Sequence, residues 1–146
     1  KPVPEIVVAI TGITNEMLKD APEFSELVSD LKKFVGGDPI IGHNISFDIN
    51  FLKAKGLEFQ NKQFDTCELM RILFPNEESY ALEIIAGKHD FQNKPSHRAL
   101  TDVKASVELF GLLQGKIDNA PEAAKKMIAS VLRRSSWPYK ELFSLA

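Results

Sequence analysis

Apolar residues recur at helical spacing from Phe24 to Val35, with Phe24, Leu27, Val28, Leu31, Phe34 and Val35 on one stripe, and Gly36-Gly37 closes the run. The spacing predicts a helix with one buried face that stops at the glycine pair. Before it, Lys1 to Ile10 carries Pro2 and Pro4 and reads as extended. Thr11-Gly12-Ile13-Thr14 then reads as a turn, with Thr14 able to cap a short helix ending near Asp20-Ala21-Pro22. Asp38 to Gly42 is a short apolar run that predicts a strand. His43 to Leu52 follows as a polar turn and then a helix, whose core face is drawn from Ile49, Phe51, Leu52 and Leu57 and which ends at Gly56. Gln63 to Thr66 predicts a second strand. Cys67 to Phe74 continues as a helix up to Pro75, and Ser79 caps a further helix over Tyr80 to Ala86.

Asp90 to Ser96 is polar and loop-like. Arg98 to Ile117 predicts a long helix with Leu100, Val103, Val107, Phe110 and Leu113 on its apolar stripe. Pro121 opens a last helix with Ala124, Met127, Ile128, Val131 and Leu132 apolar, and Ser135 to Ala146 forms an aromatic tail with Trp137, Tyr139 and Phe143. Strands alternating with helices define the class as α/β with parallel strands. Two strands make a small sheet for such a fold. The division expected is residues 1–117 as the main domain and 118–146 as a C-terminal helix and tail, which either folds back on the domain or docks a partner.

Composition narrows the picture without naming a chemistry. The 146 residues suffice for one domain, and 44% hydrophobic with 26% charged residues is ordinary for a globular chain. A net charge of −2 gives no basic field, so a nucleic-acid partner has to be argued from a local site. The single cysteine, Cys67, excludes an internal disulfide and agrees with a reducing, cytoplasmic setting. No apolar run reaches the roughly 20 residues that span a bilayer, and no signal peptide is visible, so no membrane partner is expected. Lys1 stands where a Met would open a complete chain, and a processed or partial chain is therefore expected.

Chemistry concentrates in two places. Asp48 falls in the first turn of the helix after the first strand, where the helix dipole favours a carboxylate. His97 lies at the mouth of the long helix and Asp102 in its early turns. If that helix packs beside the His43–Asp48 turn, the two carboxylates converge. Two carboxylates in low dielectric repel, and a hard divalent cation, Mg²⁺ or Mn²⁺, removes the repulsion. A neighbouring histidine can then act as general base on a water, which is the equipment of metal-assisted phosphodiester hydrolysis. Taken singly, Asp48 and Asp102 also read as helix-start charges, His97 as a surface cap, and His43 as a group satisfied within its turn. Asp65 reads as a helix N-cap, Glu77-Glu78 as a solvated pair, and His89 as a loop residue.

Pro4 through Thr14, His43-Asn44-x-x-Phe47-Asp48, Asp65-Thr66 and His97-Arg98-Ala99-Leu100-x-Asp102 together resemble the DEDDh (DnaQ-like) 3′–5′ exonucleases. That family includes the proofreading epsilon subunit of bacterial DNA polymerase III and the exonuclease domain of DinG-type helicases. The resemblance covers roughly Val3 to Ile117. It implies a ribonuclease H-like fold, two divalent metals held by four carboxylates, and a single-stranded DNA 3′ end as substrate, in proofreading or repair beside a polymerase or helicase subunit. By it, Asp48 and Asp102 are metal ligands, His97 is the general base, and His43, Asn44 and Phe47 line the seat of the 3′-terminal nucleotide. The family's first motif, Asp-x-Glu on the opening strand, is absent upstream of Asp48. The resemblance therefore implies a fold lacking its first three strands and a chain inactive by itself. A non-catalytic nucleic-acid-binding or interaction module on the same scaffold, and an RNA-directed 3′–5′ exoribonuclease, are the alternatives.

Overall fold

The computed structural model describes residues 2–94, 97–135, 137 and 139–143. Its centre is a pair of parallel strands, β1 (Ile40–Gly42) and β2 (Gln63–Asp65), with Ile40 opposite Gln63, Ile41 opposite Phe64 and Gly42 opposite Asp65. Seven α-helices are present among the described residues: α1 (Glu5–Thr11), α2 (Phe24–Val35), α3 (Ser46–Ala54), α4 (Thr66–Leu73), α5 (Leu82–Lys88), α6 (Ala99–Asp118) and α7 (Glu122–Leu132). A 3-10 turn, Lys140–Phe143, closes the described chain. α3 is the crossover that makes β1 and β2 parallel.

The N-terminal stretch departs from expectation. Lys1 to Ile10 reads as extended, yet α1 begins at Glu5. Pro4 sits just outside it with extended backbone (φ −62, ψ 145), and its carbonyl accepts from the Val7 and Val8 amides. A proline there forfeits nothing, because the first amides of a helix have no intrahelical acceptor. The short helix expected after Thr14 is instead a run of turns over residues 15–20. Only one cap-like bond forms there, from the Met17 amide to Thr14 Oγ1 at 3.3 Å.

α2 keeps its expected bounds. Glu23 and Glu26 form a reciprocal capping box at its start, and Gly36 ends it with φ 53. Its apolar stripe is not a buried face, however. No residue of α2 is fully buried, and Leu27 and Phe34 face solvent. What the stripe does supply is an edge-to-face contact between Phe24 and Phe51 of α3, with ring centroids 6.4 Å apart.

The core lies among α4, α5 and α6. Leu69, Met70, Ile85, Ala86, Leu109 and Leu113 are buried there, each such large side chain contributing roughly 1.5–3 kcal/mol of transfer free energy. On α6 the buried face is Ala105, Ser106, Leu109, Leu113 and Ile117. That face combines the small Ala105 and Ser106 with the large Leu109, Leu113 and Ile117. Of the expected stripe, Leu113 is buried and Phe110 packs against the core, whereas Leu100, Val103 and Val107 are exposed. The tail folds onto this core too. Tyr139 and Phe143 are buried, and Trp137 packs on both with ring centroids at 4.8 and 5.8 Å. Ser136, Pro138 and residues 144–146 of the tail lie outside the described residues.

Two smaller expectations change. α5 starts at Leu82, not Tyr80, and has no side-chain cap, because Ser79 Oγ accepts from the Ala81 amide outside the helix. Glu77 is shielded rather than solvated and pairs with Lys88 at 2.5 Å. His89 lies in the turn after α5, outside the helix as expected, with its half-buried ring between Phe74 and Phe91. No helix among the described residues is long and apolar enough to cross a membrane.

Candidate active site

The site is built on the end of β1. The chain leaves the sheet at Gly42 and turns sharply into α3. A Cβ on Gly42 would stand 3.0 Å from Ile45 Cγ1, so any larger residue there would push the buried Ile45 side chain aside by a few tenths of an ångström. Asn44 takes φ 57, a left-handed conformation that Asn tolerates better than most residues. Its amide donates to Asp65 Oδ1 at 3.0 Å, and the same oxygen accepts the Cys67 amide at 2.9 Å. Asp65 therefore caps α4, as expected, and also pins the β1–α3 turn. Asp48 then falls in the first turn of α3.

His43 is tied down on both sides. Its Nε2 lies 2.7 Å from the Tyr80 carbonyl oxygen and its Nδ1 3.0 Å from Thr66 Oγ1. Thr66 is fully buried, and its hydroxyl also stands 3.1 Å from the Gly42 carbonyl. Burial pushes the His43 ring below its ordinary range; the hydrogen bond to Tyr80 and the charge of Asp65 oppose this, and Arg71 adds to it.

The second half of the site comes from α6. His97 precedes the helix with φ 56, and its Nε2 lies 3.8 Å from Glu83 Oε2 of α5. Asp102 sits in the first turn of α6, where its backbone carbonyl accepts the Ser106 hydroxyl at 2.9 Å. Arg98 reaches back from the N-cap of α6 to the Gly12 carbonyl at 3.3 Å and so anchors the end of α1 beside the site. Ser96, the first residue of the second sequence cluster, lies outside the described residues.

One cavity of about 530 Å³ joins the two halves, and Asp48, His97, Asp102 and His43 all line it, with Ile41 and Val103 as apolar wall. Asn44 and Phe47 are not among its lining residues, and the Phe47 ring is 78% exposed on the outer side of α3. Asp48 and Asp102 are hard oxygen donors of the type Mg²⁺ and Mn²⁺ prefer. Among the described residues, no group of three or more His, Cys, Asp and Glu side chains is placed to hold a metal ion. Thr66, Glu83 and Ser106 belong to the site without having stood out as chemistry in the sequence. Thr66 stands in the sequence as the end of the second strand and in the Asp65-Thr66 pair of the resemblance, and Glu83 has no sequence signal of its own.

A strand, a sharp turn and a helix bearing one aspartate, facing a second helix that opens on a histidine and an aspartate, define an α/β domain with a carboxylate–histidine cavity at the end of a parallel sheet. The family model described as Exonuclease (RNase_T) matches residues 1–110. The chain belongs to this exonuclease family, whose members have a ribonuclease H-like fold. It is 32% identical over 145 residues to a DNA polymerase III PolC-type of Caldanaerobacter subterraneus subsp. tengcongensis, covering 97% of this chain and 10% of that protein. It is 38% identical over 114 residues to a 3′-5′ exonuclease DinG of Staphylococcus epidermidis, covering 74% of this chain and 12% of the relative. A DNA polymerase III subunit epsilon of Aquifex aeolicus is 34% identical over 113 residues, covering 74% of this chain and 56% of the relative. The chain thus spans from about a tenth to little more than half of the length of these relatives.

Proposed function

We propose that the chain carries part of the active site of a DNA-directed 3′–5′ exonuclease that works in proofreading or repair, in the cytoplasm, beside a polymerase or helicase subunit. The observation that carries this reading is the single cavity lined by Asp48, His97 and Asp102. In it, Asp48 and Asp102 serve as metal ligands and His97 as the base that takes a proton from the attacking water. A divalent ion, when bound, supplies charge stabilisation for the phosphodiester as the bond to the leaving oxygen breaks. Asn44 and Phe47 flank the 3′-terminal nucleotide from the outer side of α3, and the His43 ring forms part of the cavity wall.

Two carboxylates are a partial ligand set, and the described residues offer no group of three. The proposal is therefore that further carboxylates reach the cavity from outside these 146 residues, on strands laid over the exposed apolar side of Ile41, Leu100 and Val103. The partial set also supports a second reading, a nucleic-acid-binding or interaction module without catalysis. Nothing in the site selects DNA over RNA by a 2′-hydroxyl contact, and matched oligonucleotides decide that point. The test of the metal assignment is titration of the chain with Mn²⁺ under NMR observation. Paramagnetic broadening is expected at the amides of residues 47–49 and 101–103, and it is abolished by Asp48→Asn or Asp102→Asn. Broadening elsewhere, or none, overturns the assignment. In parallel, the chain alone should leave a 3′-labelled single strand intact; metal-dependent shortening would show that its own residues suffice.

A further inference from the structure

Counting protons around His43 gives a result that its position in the cavity wall does not. A carbonyl oxygen can only accept, so the 2.7 Å contact with the Tyr80 oxygen requires a proton on Nε2. A neutral ring then has a bare Nδ1, and the Thr66 hydroxyl 3.0 Å away has to donate to it. The hydroxyl has one proton, and the Gly42 carbonyl 3.1 Å away competes for it. Only an imidazolium, donating from Nδ1 into the Thr66 oxygen, would free that proton for Gly42. The groups that face the ring bear on which state holds. Asp65 favours the charge, whereas Arg71 and burial oppose it, burial being the largest effect. Asp48, His97 and Asp102 line the same cavity.

We propose that His43 is a positioning residue: a neutral imidazole, protonated at Nε2, that accepts the Thr66 hydroxyl at Nδ1 and thereby fixes the turn presenting Asp48. Its two nitrogens tie the end of β1 to the start of α4 and to the segment before α5. Neither nitrogen is left to bind a nucleotide. The Asp65 carboxylate fixes the next residue of the same turn through the Asn44 amide, so the strand end is held at consecutive positions by consecutive residues of α4's N-terminus. The proposal rests on the reading of Asp48 as a metal ligand only for its functional consequence; the clamp itself does not.

Long-range ¹H–¹⁵N spectra of the histidine rings at about pH 8, above the ordinary histidine range, give the direct test. A protonated Nε2 and a bare Nδ1 are expected for His43. A ring protonated at Nδ1, in either charge state, overturns the clamp. Thr66→Val, nearly isosteric but without the hydroxyl, should shift the His43 Nδ1 resonance and the amides of residues 44–48, and Thr66→Ser should return both. A folded Thr66→Val chain with these signals unmoved also overturns it. Mn²⁺ broadening at Asp48 should need roughly tenfold more metal in Thr66→Val, the lower end of the effect of outer partners on metal ligands, and recover in Thr66→Ser. Wild-type spectra untouched by Mn²⁺ at Asp48 would instead sink the metal reading, and the tautomer measurement would still judge the clamp.

Discussion

His97 is held at φ 56, where a β-carbon crowds the backbone and glycine does not. A non-glycine residue held in that region stores on the order of 1–3 kcal/mol that the surrounding structure has to offset. Its side chain contributes little in return, since it is mostly exposed and meets Glu83 at a loose 3.8 Å. A strained backbone with weak side-chain contacts accords with the general-base role proposed for His97. The prediction is a separation of variants. His97→Gly should match or exceed the parent in thermal stability by up to about 1 kcal/mol, after the extra unfolded-state freedom of glycine is deducted. His97→Ala keeps the strain and should show no gain. Differential scanning calorimetry of the two variants checks this. Equal melting of both would mean that the left-handed backbone carries no strain. Asn44, at φ 57, is the contrasting case, because its residue type suits the conformation and its amide is bonded to Asp65.

At the scale of elements, periodicity identified most helices but not their buried sides. α2, the two strands and α4 through α7 all lie where spacing, glycines and prolines put them, within a residue or two at most ends. α1 was hidden because prolines at positions 2 and 4 argue for extended chain, although proline just before a helix is harmless. The orientation of α6 was hidden for a different reason. Large apolar residues occur around two of its faces, and the face that packs sets Leu109, Leu113 and Ile117 beside the small Ala105 and Ser106. Of the site, Asp48, His97 and Asp102 were legible because their residue types are informative in combination. The Thr66–His43–Tyr80 link was not, since a backbone carbonyl has no signature in sequence. The junction between elements most open to test is Asp65. Its carboxylate serves two amides at 2.9 and 3.0 Å, one capping α4 and one holding the Asn44 turn. Loss of an N-cap alone costs about 0.5–2 kcal/mol. Asp65→Ala should therefore lose about 2 kcal/mol or more in urea unfolding, and exceed Ser79→Ala, whose hydroxyl serves a single exposed amide. A loss no larger than that of Ser79→Ala would show that the turn is held without Asp65.

The whole molecule is lopsided. One face of α6 packs into a core with α4, α5 and the folded-back tail, while Leu100, Val103 and Val107 of the same helix and Ile41 of β1 face solvent. Such a surface either has a partner or is a liability for association, and the two halves should answer mutation in opposite ways. Phe143 is 2% exposed and stacked against Trp137. Phe143→Ala should remove about 3–5 kcal/mol, the usual loss for a buried phenylalanine, because neighbours on several elements cannot all close the void. On the open side, Leu100 is 68% and Val107 62% exposed. Leu100→Lys and Val107→Lys give up almost no buried surface in this chain and put good helix formers on an exposed helix face. Their combined effect on folding stability should stay within about 0.5 kcal/mol per site, as for ordinary surface positions. Solubility and monodispersity in sedimentation should rise, since the same change breaks up the apolar surface. If the lysine pair instead unfolds the chain, the open side is buried in solution by a second copy or by a rearrangement of α1 and α2, and the surface proposed to receive further strands is already filled. If the pair is neutral while Phe143→Ala is severe, the stability of these residues resides in the core of α4, α5, α6 and the tail, and the exposed apolar face of α6 contributes little to it.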